Sequence, residues 1–94
     1  MSKDYRNYIR TLPCYVTGII GNTEPHHIIG YNWLTGKAMS RKGSDLTCIP
    51  LTSELHRQIH NIGWATFEKE HNINQLEAMI ATILQAEKDG MINI

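Results

Sequence analysis

Four of the five histidines of this chain lie in two short pieces, Glu24-Pro25-His26-His27-Ile28-Ile29-Gly30 and Leu55-His56-Arg57-Gln58-Ile59-His60. These pieces constrain shape as well as chemistry. Pro25 holds Glu24 extended, so His26-His27-Ile28-Ile29 reads as a strand whose two histidines point to opposite sides. His56 and His60 are four residues apart, so on a helix they share one face. Imidazole is used both as a metal ligand and as a general base near neutral pH. The fold must therefore be one in which a strand and a helix can bring rings together.

The remaining segments supply such a frame. Tyr5, Tyr8 and Ile9 have helical spacing over about two turns, stopped before Pro13. Cys14–Ile20 is rich in β-branched and aromatic residues and predicts a strand, with a turn at Gly21-Asn22-Thr23 before the histidine strand. Gly30 to Gly43 reads as a long irregular loop, of the kind that in a small domain is usually functional. Within it, Tyr31 and Trp33 are expected to cover an edge of the core. Leu46–Pro50 predicts a second short strand ended by Pro50. Thr52 or Ser53 then caps a helix from about Glu54 to Asn61, stopped near Gly63. A helix over Trp64–His71 turns Trp64 and Phe67 to the core. A last one, capped by Asn74, carries Leu76, Met79, Ile80, Ile83 and Leu84 as a core stripe up to Gly90. The fold class is α+β: a small core of two short antiparallel strands and a helix, with an N-terminal helical turn and two C-terminal helices. The 94 residues form one domain, a core over 12–63 and a helical extension over 64–94.

Net charge is zero, which argues against a protein that coats nucleic acid non-specifically. The charges are nevertheless segregated. Residues 1–45 hold six Lys/Arg against three Asp/Glu, and residues 46–94 hold three against six. No apolar run is long enough to span a bilayer and the N-terminus lacks the apolar segment of a signal peptide, so a cytoplasmic protein is expected. Two cysteines without an export signal do not make a disulfide framework.

A metal site needs three or more ligands converging from elements that pack together. His56 and His60 supply two from one helical face, in the way that an H-E-x-x-H helix holds zinc. His26 on the strand is the natural third. Two adjacent histidines on a strand do not easily serve one ion, so His27 is left close to the metal without binding it, where a general base belongs.

Taken together, these segments resemble the HNH, or ββα-metal, endonuclease family. The likeness covers roughly residues 12–63 and rests on Glu24-Pro25-His26-His27-Ile28, Ser44-Asp45-Leu46-Thr47-Cys48-Ile49-Pro50-Leu51 and His56-Arg57-Gln58-Ile59-His60. The histidines four apart are similar to the colicin-type DNase branch. The Pro-His-His-Ile start and the Ile-Pro-Leu strand look closer to small phage and prophage HNH proteins, such as the RecA-dependent recombination nucleases. The resemblance implies one divalent ion (Zn, Mg, Mn or Ni) on His26, His56 and His60, with His27 as general base. Asp45 falls where the family's central Asn sits, and could brace the loop or accept a hydrogen bond from an imidazole N–H. Lys37, Arg41, Lys42 and Arg57 are candidates for holding flanking phosphates. The implied partners are DNA and a recombination protein, in the cytoplasm of a bacterial host.

One departure is informative. Many relatives carry a zinc knuckle formed by two cysteine pairs, and here three of those four positions are Thr17, Thr52 and Leu55. Cys14 alone cannot hold zinc, so no structural zinc knuckle is expected. The implied activity is hydrolysis of DNA phosphodiester bonds. The alternative is a catalytically weak or inactive, metal-stabilised DNA- or protein-binding module derived from such a nuclease.

Overall fold

The structure, a computed structural model, describes residues 2–31 and 45–92. In chain order it contains α1 (Ser2–Ile9), β1 (Thr23–His27), a 3-10 turn (Asp45–Thr47), β2 (Cys48–Thr52), α2 (Ser53–Ile62), α3 (Trp64–His71) and α4 (Gln75–Lys88). This is the expected α+β arrangement, two antiparallel strands followed by a helix, with one helix before them and two after. Lys37, Arg41, Lys42, Trp33 and most of the glycine-rich loop lie outside the described residues.

The two strands pair as Thr23↔Thr52, Glu24↔Leu51, Pro25↔Pro50, His26↔Ile49 and His27↔Cys48. The bonds Ile28 N–H to Thr47 O and Ser53 N–H to Asn22 O continue the ladder at both ends. Hydrogen-bonded pairs therefore fall at residues 22, 24, 26 and 28, and Pro25 faces Pro50 at a non-hydrogen-bonded pair, where neither is asked for an N–H. Pro50 thus sits inside β2 instead of ending it, and its outward carbonyl accepts from the Tyr15 N–H. The strand predicted over Leu46–Pro50 is displaced two residues along the chain, because Asp45–Thr47 winds into the 3-10 turn.

Cys14–Ile20 is not a strand. Gly18 N–H bonds to Cys14 O and Cys14 N–H to Ile19 O, so the segment closes on itself. Gly18, at φ +76°, supplies the reversal, and Ile19 and Ile20 end up exposed. Local β propensity loses here to a glycine that can turn the chain.

Core side chains lie on both sides of the sheet. Ile49, Leu51, Ile59, Phe67 and Ala78 make the larger cluster, and Tyr5, Ile9, Cys48 and Ala86 the smaller one under α1. α4 buries the expected stripe in part: Met79 is in the core, and Leu76 and Ile83 pack against it. Gln75, Ala78, Met79, Thr82 and Ala86 face inward, while Ile80 and Leu84 are exposed. Small side chains at 78, 82 and 86 let the helix approach β2, and the Thr82 hydroxyl is satisfied by the Ala78 carbonyl at 2.7 Å. In α3, Phe67 is buried but Trp64 is 38% exposed. The indole lies over Gly30, whose φ of +91° and lack of a Cβ both matter, since any Cβ there would run into the ring.

Candidate metal centre and general base

β2 runs straight into α2. Thr52 is at once the last strand residue and the N-cap, its hydroxyl accepting from the Leu55 N–H. This junction lays the first two turns of α2 along the side of the sheet to which His26 points. One ring nitrogen each of His26, His56 and His60 lies within 4.8 Å of the other two. The ring centroids are 5.1, 5.7 and 5.3 Å apart. His26 is 1% exposed, whereas His60 is on the surface, so the cluster opens to solvent at one side.

Two of the three rings have one nitrogen held by a hydrogen bond, which leaves the other for an ion. Gln75 is fully buried; its Nε2 donates to the Ile29 carbonyl at 2.8 Å and its Oε1 accepts from the Ile29 N–H at 3.1 Å. That pairing fixes which end of the amide is oxygen. The same Oε1 is 3.0 Å from His26 Nε2, so Nε2 carries the proton and Nδ1 keeps its lone pair. His56 Nδ1 donates to Glu24 Oε1 at 2.8 Å, leaving Nε2 with the lone pair. Rings whose far N–H is held by a carboxylate or amide oxygen are what a metal site requires, and these donors fit a divalent ion. Burial, reinforced by the facing His56 and His60, lowers the His26 pKa to about 4 despite its bond to Gln75, so the ring is a neutral ligand at neutral pH.

His27 points to the other side of the strand. Its Nε2 donates to Asp45 Oδ1 at 3.1 Å, and Arg6 Nε stands 3.7 Å from the other carboxylate oxygen. The 3-10 turn just before β2 is what delivers Asp45 to this position. A carboxylate on Nε2 fixes the tautomer, so Nδ1 is the basic atom. His27 lines two adjoining clefts. One, of about 280 Å³, contains His26, His56 and His60; the other, of about 260 Å³, contains Arg6, Arg10, Glu24 and His56.

The family model described as "Protein of unknown function (DUF968)" matches residues 1–90. The chain belongs to the DUF968 family. No curated protein and no solved structure matches it.

In this DUF968 chain the expected ligand residues come together, and so do His27 and Asp45. Arg57 is exposed on α2 and lines neither cleft. Among the described residues, the basic side chains that share a cleft with His27 are Arg6 and Arg10, one turn apart in the last turn of α1 and just after it, where the sequence shows only the apolar spacing. Gln75 was missed as well. It reads as an ordinary polar residue in a first helical turn, and its partners lie 46 and 49 residues earlier. His71 donates to Gln58 at 2.6 Å with its ring against Phe67, a structural position.

Of the positions compared with a zinc knuckle, Thr17 and Thr52 meet Cys14. Cys14 and Leu55 belong to the same core cluster. Burial pushes the Cys14 thiol up, but hydrogen bonds from the Thr17 hydroxyl and from the Thr17, Thr52 and Val16 backbone amides draw it net below its usual range. Hydroxyl, amides and packing occupy the place around this sulfur.

Proposed function

We propose that this chain is a metal-dependent endonuclease of the HNH type that hydrolyses DNA phosphodiester bonds. The observation that carries the reading is the division of labour between adjacent β1 residues. His26 joins His56 and His60 in a three-nitrogen cluster, while His27 is held by Asp45 with Nδ1 available. The meeting of Thr17 and Thr52 at Cys14 is further support for the resemblance. DNA as substrate, a recombination protein as partner and a bacterial host cell follow from that resemblance.

His26, His56 and His60 would hold the ion, which when bound supplies Lewis-acid stabilisation of charge on phosphate oxygens. His27 Nδ1 takes a proton from the attacking water, and Asp45 keeps the ring in the tautomer that permits this. Arg6 and Arg10 line the adjoining cleft and offset phosphate charge there. Asp45 in place of the family's Asn suits this role, because a carboxylate accepts the Nε2–H without competing as a donor.

The test is plasmid cleavage at low salt with magnesium, manganese, nickel or zinc, beside metal content by calorimetric titration. His27→Ala should abolish cleavage and keep one ion per chain. His56→Ala/His60→Ala should lose cleavage and the ion of the three-histidine cluster. Wild-type cutting by His27→Ala would refute the role given to that residue. Metal and DNA binding without cleavage would make the chain a binding module.

A further inference from the structure

A second donor set stands beside the base. One ligand atom each of His27, Asp45 and Cys48 lies within 4.8 Å of the other two. The sheet register explains why. His27 and Cys48 face each other at a non-hydrogen-bonded pair, the kind in which opposed side chains approach most closely. Asp45 reaches the same point from three residues before Cys48, with Oδ1 on His27 Nε2. Cys48 is fully buried and closes the set from inside. The His27 and Asp45 side chains are 16% and 13% exposed, and of the set His27 lines the cleft that contains Arg6 and Arg10. Tyr5 packs in the same cluster as Cys48, and its buried hydroxyl has no hydrogen-bond partner among the described residues.

We propose that His27, Asp45 and Cys48 form a second metal site, selective for thiophilic divalent cations such as zinc or cobalt, and that an ion there switches off His27 as a base. A thiolate, a carboxylate and an imidazole are a zinc-type donor set, whereas magnesium and manganese prefer oxygen ligands. Thiolate and carboxylate together balance a divalent charge, and Arg6 can stay on Asp45 Oδ2 while Oδ1 turns to the ion. Binding releases one proton, from the Cys48 thiol, to solvent. The His27 proton moves from Nε2, now a ligand, to Nδ1. The lone pair that would have accepted a proton from water is then gone. The binding claim stands on the donor set alone; its consequence for cleavage rests on the role proposed for His27.

Cobalt is the probe, because a thiolate–cobalt bond gives charge-transfer absorption in the near ultraviolet and an all-histidine site does not. Titration of the metal-free wild type should show a second equivalent that brings in this band and releases one proton. Cys48→Ala should lose the band. Cys14→Ala and His56→Ala/His60→Ala should keep it. Asp45→Asn, which leaves the core untouched, should weaken the second equivalent. Saturation at one equivalent without a thiolate band, or a band that survives Cys48→Ala, would overturn the site. Histidine nitrogen NMR should place the His27 proton on Nδ1 at two equivalents of zinc; a proton still on Nε2 would overturn the switch. In cleavage, excess zinc should slow the wild type by tenfold or more relative to its own rate at one equivalent, and excess magnesium should not. Absence of cleavage with every ion would tell against the nuclease reading, while the spectra decide the second site independently.

Discussion

Replacing Gln75 by Leu should expose how the metal centre is held. The change keeps size and removes the amide. Three groups that now pair with it would be left without that partner in a fully buried place: the His26 Nε2–H, the Ile29 N–H and the Ile29 carbonyl. At about 1 kcal/mol for each unsatisfied buried group, the low end of the usual range, the loss is about 3 kcal/mol. That is a large part of the stability of a small domain. With about 1 kcal/mol per molar as the urea dependence, the midpoint should fall by about 3 M at unchanged slope. The functional effect is separate. Without Gln75 nothing selects the Nε2–H tautomer of His26, so metal affinity should fall by about 10- to 100-fold, as for other groups that orient a ligand. Urea unfolding of the metal-free protein and calorimetric metal titration measure the two effects. A Gln75→Leu protein with wild-type midpoint and wild-type affinity would refute the claim that this amide sets the His26 ring.

Two further outcomes are expected. In the metal-free protein the depressed His26 pKa makes acid destabilising: the unfolded chain takes up a proton near pH 6.5 and the folded one only near 4. Stability should therefore be intact above 6.5 and fall by about 3 kcal/mol as pH drops to 4, at about 1.4 kcal/mol per unit. Urea midpoints across this range should show the slope in wild type and lose this part of it in His26→Gln. Arg10→Gln should weaken DNA binding in EDTA and lower the salt dependence by about one counterion, with kcat at saturating DNA little changed. An unaltered salt slope would remove Arg10 from the DNA path.

What could be seen in the sequence was whatever depends on short range. Asn74 as a cap, Thr52 as a cap and the one-turn spacing of His56 and His60 are local facts, and each has its expected structural place. The strand at Cys14–Ile20 failed because β propensity says nothing about a single glycine closing the backbone on itself. On α4 the inner face takes in Leu76, Met79 and Ile83 but is rotated away from Ile80 and Leu84. Ranking by hydrophobicity favoured Ile80 and Leu84, but what the helix needs against β2 is small residues, so Ala78, Thr82 and Ala86 take the inside. Gln75 and Arg6 were illegible because their roles are contacts across more than 35 residues of chain.

The prolines do more than shape two short strands. In an antiparallel pair, hydrogen-bonded and non-hydrogen-bonded positions alternate, and Pro25 opposite Pro50 falls at a non-hydrogen-bonded one. If β1 slipped by one residue, Pro25 and Pro50 would belong to neighbouring pairs of opposite kind. One of them would then stand where the ladder needs an N–H it does not have. The same slip would turn every β1 side chain to the other face. His26 would leave His56, His60 and Gln75, and His27 would leave Asp45. Two residues without an N–H thus forbid the register that would exchange ligand and base, which is a reason for prolines to sit inside strands at the centre of a site. The corresponding change, Pro50→Val, should cost little in the native register, because that position asks for no N–H, but it removes the penalty on the slipped one. Amide exchange across Thr23–His27 in Pro50→Val should therefore be faster than in wild type while the global urea midpoint moves by less than about 1 kcal/mol equivalent. Equal exchange in the two proteins would mean that the side-chain contacts of His26 and Ile49 fix the register unaided.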